Sequence, residues 1–148
     1  YGSSMGGAAS ILATSIEPRI RALVVDSPFA NARELISQET SLTTGLPKNI
    51  TNLFLPPLVF FAKTFHDINI PAMSPEKAIQ KINFPILIIH GTGDTRVPHT
   101  HGQRIYKNAA RSSNLWLVKG ATHTKAYSSD PKAYVDKIST YFDMRFLF

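Results

Sequence analysis

Tyr1-Gly2-Ser3-Ser4-Met5-Gly6-Gly7-Ala8-Ala9 opens the chain, and every later reading depends on its spacing Gly2-x-Ser4-x-Gly6. The physics of that spacing is steric. A serine on a sharp strand-to-helix turn projects its hydroxyl clear of the backbone. The residues two before and two after it then crowd each other, and glycine relieves the crowding because it has no Cβ. Ser3 is adjacent to Ser4, but the spacing selects Ser4. Gly7, Ala8 and Ala9 keep the following helix slim enough to pack close to a sheet. Five residues with three fixed positions recur by chance, so the reading needs support from the rest of the chain.

The chain has 148 residues, the length of one ordinary domain, and is 43% hydrophobic and 18% charged, which suits a packed core rather than a disordered segment. It has no cysteine, so disulfides, thiolate metal sites and cysteine nucleophiles are excluded. Its net charge of +6 comes from scattered Lys and Arg with no run of four, which gives no support to a nucleic-acid surface. No apolar run approaches the ~20 residues of a membrane span.

Hydrophobic runs and turn residues lay out the remaining elements. Residues 6–16 read as a helix, and Pro18 forbids its continuation. Ile20 to Val25 is a short apolar strand bounded by Asp26-Ser27-Pro28. Asn31 to Gln38 reads as a short helix capped by Asn31. Residues 40–72 differ in texture: apolar residues from Leu53 to Phe61 are split by Pro56-Pro57, and the segment reads as an irregular, mainly helical cap insertion. Ser74-Pro75-Glu76 starts a helix with a capping serine, a proline at the first position and an acid in the first turn. Phe84 to His90 is the clearest strand, Asn114 to Lys119 another, with a helix from His101 to Ala110 between them. A last helix runs from Asp130 towards Phe142, with Ala133, Ile138 and Phe142 inward. This alternation predicts an α/β fold with a parallel sheet and crossover helices.

Two loops after strands carry the groups that Ser4 lacks. Asp94 lies four residues past a strand end, in His90-Gly91-Thr92-Gly93-Asp94-Thr95-Arg96-Val97-Pro98. His123 lies just past the next strand, in Gly120-Ala121-Thr122-His123. Loops at the carboxyl ends of parallel strands converge on one crevice, so Ser4, Asp94 and His123 are expected to meet there. Asp26 also follows a strand and competes for the role of the acid; the flanking His90-Gly91 and Val97-Pro98 favour Asp94. His90 reads as a structural residue at a strand end. His99 and His101 are two apart, without a nearby carboxylate to complete a metal site, and read as an exposed loop and helix start.

With these motifs in order, the chain resembles the C-terminal half of an α/β-hydrolase, in the serine-esterase and lipase-like branch related to prolyl-oligopeptidase and serine-aminopeptidase enzymes. The resemblance rests on the nucleophile-elbow pattern Gly2-Ser3-Ser4-Met5-Gly6-Gly7, on His90-Gly91-x-x-Asp94-x-x-Val97-Pro98 and on Gly120-x-x-His123. Where such proteins often have Gly-x-Gly-His, this chain has Gly120-Ala121-Thr122-His123. The resemblance implies Ser4 as nucleophile, His123 as base, Asp94 as the acid that orients it and the Met5 backbone N–H as an oxyanion donor. It implies no cofactor and no metal, and a small acyl ester or a peptide as substrate. A peptidase, an acyltransferase or a non-catalytic binding protein on the same scaffold are the alternatives. The absence of an initiator methionine and of a strand before Ser4 leads to the expectation that residues 1–148 are the C-terminal part of one hydrolase domain. A second oxyanion donor and any targeting segment would then lie elsewhere, and residues 1–148 alone would not fold. Compartment and oligomeric state stay open.

Overall fold

The computed structural model describes residues 1–146. Four strands form a parallel sheet in the order β1 (Gly2–Ser3), β2 (Val24–Asp26), β3 (Leu87–Gly91) and β4 (Asn114–Val118). Each successive pair is joined by a crossover containing helix, as parallel pairing requires. The architecture is α/β, a parallel sheet flanked by helices. It divides into two compact units, one made of Tyr1–Ala30 with the chain from Pro75 onward, the other of Asn31–Ser74.

In the first unit the sheet is covered on both faces, and the period-2 alternation of side chains assigns each residue its face. Val25 and Ile88 pack with Ile11, Ile79 and Ile105, contributed by α1 (Met5–Thr14), by the 3-10 turn Ile79–Lys81 after α4 (Pro75–Ala78) and by α5 (Thr100–Asn108). Val24, Leu87 and Ile89 pack on the other face with Ala126 of α6 (Ala126–Ser129) and with Tyr134 and Tyr141 of α7 (Pro131–Phe146). Burial on both sides explains why β2 and β3 read as unbroken apolar runs rather than alternating ones.

The strands are shorter than their apolar runs. β2 begins at Val24 rather than Ile20, and the Leu23 N–H goes to the Tyr141 hydroxyl at 2.9 Å instead of to a neighbouring strand. β3 begins at Leu87, because Pro85 has no N–H to give and Ile86 N–H is taken by Ser113 Oγ at 3.1 Å. The inner side of α7 is carried by the buried Tyr134 and Tyr141, with Ile138 and Phe142 partly buried against the same cluster; Ala133 is half-buried too. Ser74 does not cap α4: its hydroxyl has no hydrogen-bond partner among the described residues.

The second unit is more regular than its composition suggests. α2 runs Ala32–Thr44, past the expected end at Gln38; Asn31 Oδ1 accepts from Arg33 N–H at 3.0 Å and Glu34 N–H at 3.3 Å, and Gly45 closes it with φ 71°. α3 runs unbroken from Lys48 to His66 through Pro56 and Pro57. Two prolines remove two ladder hydrogen bonds, but the carbonyls left over belong to Asn52 and Leu53, both exposed and free to meet water. Ile50, Leu53, Phe54, Leu58, Phe61 and Phe65 recur at helical spacing on α3 and are all exposed. No helix among the described residues is long and apolar enough to cross a membrane.

Candidate active site

The parallel ladder continues past the ends of the strands, and this builds the site. The first residue after each of β1, β2 and β3 donates its N–H to the next strand over: Ser4 to Asp26 O at 2.8 Å, Ser27 to Ile89 O at 2.9 Å, Thr92 to Val118 O at 2.9 Å. The loops therefore leave the sheet from one edge in a fixed register. Ser4 turns the chain from β1 into α1 with φ 51° and ψ −121°, a conformation costly for a residue with a Cβ. A Cβ on Gly2 would lie 2.4 Å from Gly6 O, so a side chain there has no room. Met5 is the first residue of α1, and its N–H has no partner within the helix.

The acid and histidine loops are pressed backbone to backbone. Gly93 N–H donates to Ala121 O at 3.0 Å, and Thr92 Oγ1 accepts from Gly120 N–H at 2.8 Å. A Cβ on Gly91 would lie 2.1 Å from Ala121 O and 2.7 Å from Ala121 C. Gly91→Ala must therefore push the histidine loop away. The expected result is a loss of about 1–3 kcal/mol of stability, the ordinary cost of overpacking, together with a fall in any activity that depends on His123. Urea unfolding and an activity assay on the same preparation check it; a variant as stable as the parent would contradict the close approach.

Ser4, His123 and Asp94 are hydrogen-bonded in series. Asp94 Oδ2 lies 2.7 Å from His123 Nδ1, and His123 Nε2 lies 2.8 Å from Ser4 Oγ. A carboxylate only accepts, so Nδ1 carries the imidazole proton, and Nε2 is left to accept from the Ser4 hydroxyl. Asp94 Oδ1 accepts from Val97 N–H at 2.8 Å and from Arg96 N–H at 3.1 Å. Asp94 is 4% exposed. That burial pushes its carboxyl up, but the nearby His90 imidazole and the hydrogen bonds accepted from His123 and Val97 outweigh it and hold the carboxyl below its ordinary value.

The remaining candidates fall elsewhere. Asp26 is buried but does not meet His123; its carboxylate accepts from Ser27 Oγ at 2.9 Å and Tyr134 Oη at 2.9 Å. His90 is fully buried at the end of β3, donating Nε2–H to Val97 O at 2.8 Å with Asp94 Oδ2 at 3.5 Å. It steadies the acid loop, a role that spacing alone did not reveal. His101 corrects its sequence expectation: it is 2% exposed rather than at an exposed helix start, and its Nδ1 accepts from Ala30 N–H at 3.2 Å. Ala30 leads into a segment with no strand neighbour, and the imidazole supplies the missing acceptor. No group of three or more metal-ligating side chains occurs among the described residues.

No family model matches the chain. Among curated proteins it is 25% identical over 145 residues to an uncharacterized Bacillus subtilis protein, YqkD, covering 97% of this chain and 47% of that one. It is 30% identical over 94 residues to the lysophosphatidylserine lipase ABHD12 of Danio rerio, covering 64% of this chain and 23% of the lipase. The chain thus spans less than half the length of these relatives. Among solved structures, the Pyrococcus furiosus esterase Pf2001 superposes with a TM-score of 0.71 at 22% identity, over 97% of this chain and 52% of that one. The α/β-hydrolase GrgF of Penicillium sp. sh18 superposes with a TM-score of 0.69 at 14% identity, over 99% and 63% of the two chains.

Proposed function

Taking the α/β-hydrolase fold as premise, we propose that this chain carries the reacting groups of a serine hydrolase that cleaves a carboxylic ester through an acyl-enzyme. The observation that carries the reading is the unbroken series from Asp94 through His123 to Ser4, with contacts of 2.7 and 2.8 Å. An esterase and a lipase among the similar proteins lend it support. Ser4 Oγ attacks the ester carbonyl while His123 Nε2 takes its proton, and a new O–C bond forms as the carbonyl π electrons move onto oxygen. Met5 N–H, at the positive end of the α1 dipole, donates to that oxyanion. The tetrahedral species collapses, the C–O bond to the alcohol breaks, and the alkoxide takes the proton from Nε2. Water then repeats the sequence on the acyl-enzyme, releasing the carboxylic acid and restoring the serine. Residues 40–72 serve on this reading as a cap insertion.

The test is labelling of the full-length protein with a fluorophosphonate probe, followed by digestion and mass mapping. Stoichiometric labelling at Ser4, with turnover of ester substrates ahead of peptide substrates, is the expected result. A folded protein that takes up no probe refutes the reading; turnover of peptides alone replaces the esterase assignment with a peptidase.

A further inference from the structure

Among the described residues, four other than glycine have a left-handed backbone, and three of them, Ser4, Ser27 and Thr124, bear on this site. Thr124 follows His123 directly. It is β-branched and holds φ 57°, a conformation that needs local support. Ser27 follows β2, is 1% exposed and holds φ 51°. The two are bonded to each other across 97 residues of sequence: Thr124 N–H donates to Ser27 Oγ at 3.3 Å. The Ser27 hydroxyl is itself fully oriented, because it donates to Asp26 Oδ1 at 2.9 Å.

Asp26 anchors this link from the core. It is 2% exposed, its Oδ2 accepts from Tyr134 Oη at 2.9 Å, and its backbone carbonyl accepts the Ser4 N–H at 2.8 Å. Tyr134, having given its proton to Asp26, accepts from Tyr1 Oη at 2.8 Å. Burial, and then the Asp26 charge, keep the Tyr134 phenol protonated and available as a donor. One residue, Asp26, therefore ties both sides of the site together, holding the Ser4 turn through its carbonyl and the His123 loop through Ser27.

We propose that Ser27 is a positioning residue for His123: its hydroxyl, set by the Asp26 carboxylate, holds Thr124 N–H and thereby fixes the height of the imidazole over Ser4. This rests on the reading of Ser4 and His123 as nucleophile and base. The link touches neither substrate nor reacting atoms. Its loss lets the histidine loop drift, and displacements near 1 Å at a reacting pair cost on the order of 10²-fold.

Ser27→Ala removes the hydroxyl and keeps the strained backbone. Ser27→Gly removes the hydroxyl and suits a left-handed backbone, so it folds even where the alanine variant does not. Both are compared in the full-length protein with the parent and with Ser4→Ala, reading kcat and KM on an ester, the fluorophosphonate labelling rate and the melting temperature. The expected result is a fall of about 10–100-fold in kcat and in labelling rate for both variants, with KM within about 2-fold of the parent, at temperatures where both stay folded. Parental kcat in either folded variant, or a rise in KM alone, overturns the proposal while leaving the serine-hydrolase reading intact. A folded parent that neither reacts with the probe nor turns over ester overturns both.

Discussion

A Ser4→Ala protein is expected to lose ester turnover by a factor on the order of 10⁴–10⁶ in kcat, with little change in stability. The size of the loss follows from the unity of the three groups. On the serine-hydrolase reading, His123 and Asp94 have no function in acyl transfer once the hydroxyl they serve is gone, so removing Ser4 forfeits the contribution of all three. What survives is binding and the oxyanion donors. Stability changes little because alanine meets the same φ of 51° with the same Cβ, and the Ser4 N–H still reaches Asp26 O. Steady-state kinetics and a melting curve on one preparation decide it. A folded variant that retains parental turnover would assign the activity to another nucleophile.

Asp94→Asn is expected to lower kcat by about 10⁴-fold. The reason lies in the donors around the carboxyl. Oδ1 accepts two backbone N–H groups, from Arg96 and Val97, and Oδ2 accepts His123 Nδ1–H. An amide has one accepting oxygen. If that oxygen stays with the backbone, the NH2 faces His123, the imidazole takes its other tautomer, and Nε2 no longer accepts the serine proton. If the amide flips, two backbone donors face an NH2. The same substitution has a signature in stability. The Asp94 carboxyl is lower in the folded chain than in the unfolded one, so the unfolded chain binds more protons and stability rises with pH across that interval. This contribution is complete above the ordinary carboxyl value of about 3.9 and is lost as pH falls through the depressed folded value. Melting temperatures of parent and Asp94→Asn should therefore converge as the pH is lowered from about 6 to below about 3. A constant gap would deny the carboxylate its favourable setting.

The convergence of Ser4, Asp94 and His123 could be read from the chain because each follows a strand, and parallel strands deliver their ends to one edge. The crowding at Gly2 could be read for a similar reason, since the Gly6 carbonyl that a Cβ there would meet is four residues on, whereas a Cβ on Gly6 meets nothing within 4 Å, against the expected crowding at both positions. What escaped was carried by contacts distant in sequence. Tyr134 and Tyr141 lie on the inner side of α7 although a hydroxyl argues for the surface. Inside, those hydroxyls find Asp26 Oδ2 and Pro85 O, and their rings fill the core. Asp26 was weighed as an acid for His123, and nothing local reveals that its carboxylate belongs to Tyr134 and Ser27. His101 reads as a surface residue in sequence because its acceptor role depends on Ala30, 71 positions away. Pro56-Pro57 suggested a break that exposure of the preceding turn makes unnecessary.

The hydrogen bond between Ser4 and His123 joins residues 119 apart in the chain. Closing a loop of that length costs about 4 kcal/mol of chain entropy before any contact returns it. No short-range element brings the pair together: β1 pairs with β2, β2 with β3 and β3 with β4, so the imidazole arrives only when the last strand has joined. Topologies dominated by such distant pairings fold slowly. The Ser4–His123 contact therefore depends on the pairing of all four described strands. If Ser4 is the nucleophile proposed above, a chain in which β4 has not yet paired with β3 holds its serine without its base and should stay unreactive.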